Sequence, residues 1–165
     1  MIRLIAILFF SALLTGCGLQ PLYSGGSKGA VSQVLGSVDV ETIEGKSGWL
    51  VRNALTDRLD AAKTTGSSAR YRLVVKLDDQ IEGFGVRVDD TVTRERRTLR
   101  ARYQLVDVAS GNTLVDATAS SDAGIDVVSS EYATIAGENS ALENLSQKIA
   151  EQIVTRLTLY AREVK

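Results

Sequence analysis

Apolar and polar positions divide the chain into segments with different periods. Leu4 to Leu14 is one apolar run in which Ser11 is the only polar side chain. Gly18 to Gly36 has no period, is rich in Gly and Ser and holds the only proline, Pro21, so it reads as a flexible tether. Val38 to Ile43 alternates and predicts a first strand. Gly45 and Gly48 then punctuate a turn, with Ser47 placed to cap a helix over residues 48–63. In that helix Val51, Leu55, Leu59 and Ala62 share one face, and Trp49 in the first turn reads as a packing anchor.

After a loop at residues 64–68 the period becomes two. Tyr71, Leu73, Val75, Leu77 and Ile81 fall on one face, while Arg70, Arg72, Lys76, Asp78 and Gln80 fall on the other. Gly83 and Gly85 suggest a bulge or turn. Alternation resumes over residues 91–108, with Leu99, Ala101, Tyr103 and Leu105 inward, and Ser110-Gly111-Asn112 marks a hairpin. Its partner strand, residues 113–127, turns Val115, Ala117, Ala119 and Ile125 to one face. A long helix over residues 130–162 closes the chain, with Leu142, Leu145, Ile149, Ile153, Leu157 and Tyr160 as its buried stripe.

The order predicts an α+β fold, a two-layer β-α-β-β-β-α sandwich. Its sheet is four-stranded and mainly antiparallel, with two helices packed on one face and a polar opposite face. The domain occupies residues 37–165 and the tether residues 17–36. A length of 165 residues, 44% hydrophobic and 24% charged, fits one globular domain.

Composition removes most catalytic schemes. Histidine is absent, so Ser-His-Asp and Cys-His systems, His-ligated zinc and imidazole pH switches are excluded. Cys17 is the only cysteine, which excludes intrachain disulfides and Cys-rich metal sites. With 19 basic and 20 acidic residues the formal charge is −1, which argues against nucleic acid as a partner. Asp78-Asp79 would point to opposite faces of a strand, and Asp89-Asp90 reads as a turn. Asp116, Asp122 and Asp126 lack the compact spacing of a calcium loop. No catalytic residue, metal or cofactor is expected.

The start of the chain carries a sharper signal. An apolar helix over residues 4–14 would be about 16 Å long, half a ~30 Å hydrocarbon core. Preceded by Arg3, it reads as the apolar region of a signal peptide, residues 1–16. Leu14-Thr15-Gly16-Cys17 resembles the lipobox of bacterial lipoproteins, which implies lipidation at Cys17. Gly18 rather than Asp after it implies, by the same resemblance, transfer to the outer membrane, with the acyl anchor in outer-membrane lipid and the domain on its periplasmic side.

Basic residues cluster between residues 70 and 102. Parity puts Arg94, Arg96, Arg100 and Arg102 together on the face away from the helices, with Arg70, Arg72 and Lys76 on the same side of the neighbouring strand. Arginine forks suit phosphate. A solvated face cross-paired with Asp116 and Asp122 is the other reading of the same residues.

Several of these pieces together resemble the LptE family of lipopolysaccharide-assembly lipoproteins, in a divergent short-chain form. They are Gly16-Cys17-Gly18-Leu19-Gln20-Pro21-Leu22-Tyr23, the strand around Arg102-Tyr103-Gln104-Leu105-Val106-Asp107, the Gly111-Asn112 turn, and Ser130-Glu131-Tyr132-Ala133 opening the last helix. The resemblance implies a lipoprotein seated inside the LptD outer-membrane β-barrel, plugging its lumen and helping deliver lipopolysaccharide to the cell surface. It does not place lipopolysaccharide-binding residues by motif. Two alternatives stay open: an auxiliary lipoprotein of another envelope lipid-transport or secretion machine, and an envelope hydrolase working through carboxylates.

Overall fold

The computed structural model describes residues 29–63, 68–86 and 92–164. Cys17 with the other residues read as signal peptide and lipobox, Arg87, and the Asp89-Asp90 pair read as a turn lie outside the described residues. The elements in order are α1 (Ala30–Gly36), β1 (Val38–Val40), α2 (Gly45–Asp60), β2 (Tyr71–Val86), β3 (Val92–Asp107), β4 (Thr113–Asp126) and α3 (Glu131–Glu163). The strands form one sheet in the order β1-β2-β3-β4. The α+β fold expected from the periods is therefore observed, with one change of direction. β1 runs parallel to β2, through Val38 opposite Tyr71 and Val40 opposite Leu73, while the other two ladders are antiparallel.

Side-chain burial follows the period through most of β3, β4 and α3. Leu99, Ala101, Tyr103 and Leu105 of β3 are buried, as are Val115, Ala119 and Ile125 of β4. They pack under the α3 stripe of Leu142, Leu145, Ile149, Ile153 and Leu157, each 0–1% exposed. Burying a side chain of this size contributes roughly 1.5–3 kcal/mol, so this seam holds the two layers together. Ser130 caps α3 by accepting the Ala133 N–H at 3.4 Å. Within the helix, Ser146 and Thr158 are buried and donate to the carbonyls of Leu142 and Val154, both at 2.8 Å. This back-bonding lets polar side chains sit in the core without an unsatisfied hydroxyl.

Four expectations need correction. Residues 30–36 are not tether: they form α1, which carries Leu35 into the core at 1% exposure. The first strand stops at Val40, and α2 starts at Gly45, so Glu44 rather than Ser47 precedes the helix. Trp49 is no packing anchor, being 63% exposed. The cause is Gly48, which faces the core so closely that a Cβ there would meet the Ile43 carbonyl oxygen at 2.5 Å. One residue further on, at about 100° per residue, the side chain points away from that contact.

The fourth correction concerns β2, which continues to Val86 instead of turning at Gly83. Leu77 is only partly buried and Ile81 is 43% exposed, although both have core parity. Cover runs out at this level. Lys46 at the start of α2 reaches Asn139 at 2.6 Å, and Arg58 near its end reaches Gln147 at 2.7 Å. The two helices therefore run in the same sense, and α2 begins only at about the level of Asn139. The far ends of β2 and β3 extend past it.

Candidate functional site

The uncovered face of the sheet carries the even-numbered side chains of β2, β3 and β4, as pleating requires. Arg72, Lys76, Arg94, Arg96, Arg100 and Arg102 are all exposed there. Arg70 is not among them. Both its N–H and that of Tyr71 donate to the Ser37 carbonyl, at 2.9 and 3.0 Å, so the chain is not yet pleated and parity does not reach it. Its guanidinium instead lies 5.1 Å from the Tyr71 ring centre and 3.7 Å from Asp107, at the end of the core.

Register decides how the remaining cations are grouped. The antiparallel β2–β3 ladder sets Lys76 beside Arg102, but sets Asp78 opposite Arg100, Glu82 opposite Arg96 and Phe84 opposite Arg94. The two basic rows therefore merge only at Lys76 and Arg102. Around that pair, Val74 and Gln104 complete a shallow depression of about 180 Å³. Arg102 spans diagonally to Asp116 at 3.1 and 3.3 Å, and Gln104 donates to the same carboxylate at 2.8 Å. The Arg102 contact, followed by that of Gln104, holds Asp116 below its ordinary pKa; the same pairing raises that of Arg102. Arg94 meets Asp126 directly across the ladder at 3.0 Å, and Arg72 meets Glu41 at 3.2 Å. Asp122, a candidate partner by parity, stands opposite Thr98 and takes no ion pair among the described residues.

Among the described residues Lys76, Arg96 and Arg100 form no ion pair. Arg96 is placed over the Phe84 ring at 5.3 Å, a cation–π distance that leaves its N–H fork open. The face is therefore zwitterionic, with three cations uncommitted, rather than uniformly basic. Such a surface can recognise phosphate or another mixed-charge surface. Among the described residues no group of His, Cys, Asp and Glu could hold a metal.

Sequence reasoning gave one polar residue no role. Arg97 has core parity, and its guanidinium grips Asp79 with Nε at 2.8 Å and a terminal nitrogen at 2.7 Å, while donating to the Glu138 carbonyl at 3.0 Å. Only 12% of the Arg97 side chain and 20% of the Asp79 side chain are exposed. The hydrogen bond to Asp79 raises the Arg97 pKa against the opposing effect of burial. The odd numbering of both residues on strands was the available signal, since it puts opposite charges on the helix-covered face.

Comparison with known proteins agrees with this architecture. The sequence model of the LptE family, described as lipopolysaccharide-assembly, matches residues 35–157. An uncharacterized protein of Rickettsia prowazekii (strain Madrid E), RP188, is 27% identical over 154 residues, 93% of this chain and 94% of its own. A solved Caulobacter crescentus CB15 protein described as a lipoprotein superposes with a TM-score of 0.67 at 26% identity, covering 83% of this chain and 98% of the other. Rare lipoprotein B from Shewanella oneidensis shares the fold, with a TM-score of 0.55 at 12% identity over 78% of this chain and 96% of its own. With the family match spanning most of the sheet and both long helices, the chain belongs to the LptE family of lipopolysaccharide-assembly lipoproteins.

Proposed function

We propose that this protein is anchored through lipidated Cys17 to the periplasmic leaflet of the outer membrane. There it seats in the lumen of the LptD β-barrel and supports the passage of lipopolysaccharide to the cell surface. The observation that carries this reading is the long uncovered sheet face, where paired and uncommitted charges alternate over three strands. Barrel lumens are polar and water-filled, so a plug needs a face that stays solvated and complementary in charge. Lys76, Arg96 and Arg100 are the groups free to meet lipopolysaccharide phosphates, whereas Arg72, Arg94 and Arg102 already hold carboxylates. Among the described residues no helix is long and apolar enough to cross a membrane; in this reading the acyl anchor provides the attachment. The role is one of binding and support, with no catalytic group assigned.

The test is co-purification from detergent-solubilised outer membrane with variants on two features. Cys17→Ala should abolish incorporation of radioactive fatty acid and leave the uncleaved precursor in the inner membrane. Arg96→Glu with Arg100→Glu should keep the fold, since both side chains are exposed, and should weaken lipopolysaccharide binding with a reduced salt dependence. Barrel recovery lost while lipopolysaccharide binding persists would assign the face to the barrel wall. Recovery of a different envelope machine in place of the barrel would overturn the reading.

A further inference from the structure

Two helices cover the sheet as far as the level of Asn139, and past it only α3 continues. Arg97 donates to the Glu138 carbonyl, and a Cβ at Gly137 would meet the Ile125 side chain at 3.3 Å, so α3 stays on β3 and β4. α2 begins where Lys46 meets Asn139. Among the described residues no element lies beside α3 above the end of β2. From Ile81 to Val86 that strand runs about 17 Å further. Packed helices lie about 8–10 Å apart, so the trough has the width of one helix and the length of about three helical turns.

The trough is apolar at its rim and acidic at its floor. Ile81 is 43% exposed there in spite of its core parity. On α3, Ile135 and Tyr132 stand one and two turns before Asn139 on the side that faces α2, and they are 47% and 84% exposed. Glu95 of β3 shares the covered face, and Gly83 opposite it on β2 places no side chain beside it. One oxygen of the Glu95 carboxylate is buried and has no hydrogen-bond partner among the described residues. Asp79 is matched by Arg97, and Glu138 acts on the same guanidinium. Three carboxylates thus share one cation, while Lys46 at the closed end is bonded to Asn139.

We infer that this trough receives a polypeptide segment of the barrel protein, which lays apolar side chains on Ile81, Ile135 and Tyr132 and sets one arginine or lysine against Glu95. The inference rests on the barrel reading above and gives it a second contact face. Charge selects the occupant. The carboxylates repel phosphate, and an acyl chain would cover Ile81 while leaving Glu95 buried and unmatched, which is unfavourable. A cation supplied by another chain offsets that desolvation, and the apolar rim excludes water around the pair. The trough also lies across the sheet from Lys76, Arg96 and Arg100, so filling it leaves those cations free for lipopolysaccharide.

The experiment places a photo-crosslinking residue at Ile81 and, separately, at Ile135 in the full chain, and maps the crosslinked peptides by mass spectrometry after co-purification with the barrel. Both positions should link to one segment of the barrel protein, and that segment should contain an arginine or lysine. Glu95→Lys should lower barrel recovery at least tenfold and leave lipopolysaccharide binding and the urea midpoint unchanged. Replacing the mapped basic residue of the barrel with Glu should then restore recovery, which general destabilisation could not produce. Ile135→Glu, at an exposed helix position, should also lower recovery without moving the midpoint. A barrel that co-purifies but crosslinks at neither position would overturn this inference and leave the barrel reading standing. So would a linked segment without a basic residue, a charge swap that restores nothing, or a Glu95→Lys variant that loses lipopolysaccharide binding and stability along with the barrel. Failure of the wild type to recover any barrel would overturn both.

Discussion

Replacing Arg97 with Met removes a grip that joins β2, β3 and α3 where α2 no longer covers the sheet. The side chain keeps most of its volume, so the loss is chiefly the bidentate contact with Asp79 and the bond to the Glu138 carbonyl. Breaking a fully buried ion pair from one side costs about 3–5 kcal/mol, and an exposed pair is worth about 0–1 kcal/mol. With 12% and 20% of the two side chains exposed, this pair sits nearer the buried limit, and a cost of about 2–3 kcal/mol follows after allowing for water at the carboxylate. At a urea slope of about 2 kcal/mol per molar, the midpoint should fall by about 1–1.5 M. Asp79→Leu alone should also destabilise, because it strands the guanidinium. The double variant should lose much less than the two single losses added, since no uncompensated charge remains. A midpoint within 0.2 M of wild type for Arg97→Met, or a double variant that loses the full sum, would refute the coupling.

Ile149 sits at 0% exposure on the α3 stripe, so Ile149→Ala should cost about 2–5 kcal/mol, a large share of the ~5–15 kcal/mol of an ordinary domain; equilibrium urea unfolding measures it. Acid should destabilise the protein through Asp107 and Asp116. The N–H and hydroxyl of Ser110 and then the N–H of Ala109 hold the Asp107 carboxyl low, and Arg102 and Gln104 do so for Asp116. A carboxyl whose folded pKa is depressed binds fewer protons than in the unfolded chain. Its stabilisation is therefore complete above the ordinary carboxylate range, near pH 4, and is lost as pH falls through the folded value. Asp107→Asn with Asp116→Asn should flatten the decline in melting temperature between about pH 4.5 and pH 2.5.

What could be read from the chain alone divides by length and by register. The stripe from Leu142 to Leu157 and the alternation of Leu99 to Leu105 repeat often enough that local period fixes each buried face, and burial follows it. Three residues, Val38 to Val40, alternate equally well in a parallel or an antiparallel pair, so the direction of β1 was not legible. Leu35 lies in seven helical residues flanked by Gly and Ser, too short for a period to stand out, and only its packing reveals α1. The cationic face was legible as a set of residues through parity, though Arg70 leaves it where the pleat has not begun. Its grouping was not legible, because which carboxylate stands beside which arginine depends on register between strands. That register brings Asp78 and Glu82 in among Arg96 and Arg100.

Under the anchoring proposed at Cys17, the short helix α1 also bounds how far the folded domain could travel from the membrane. With Leu35 held in the core and the described residues beginning at Gly29, twelve peptide units separate that position from Cys17, instead of about twenty. At no more than about 3.6 Å per residue, that leash reaches roughly 43 Å when pulled taut, close to the thickness of one bilayer with its headgroups. A domain anchored in the proposed way would search a shell of membrane surface rather than the depth of the periplasm, so a membrane-embedded partner would be met at high effective concentration. Lengthening the leash by a dozen residues would dilute that encounter without touching a single contact in the fold.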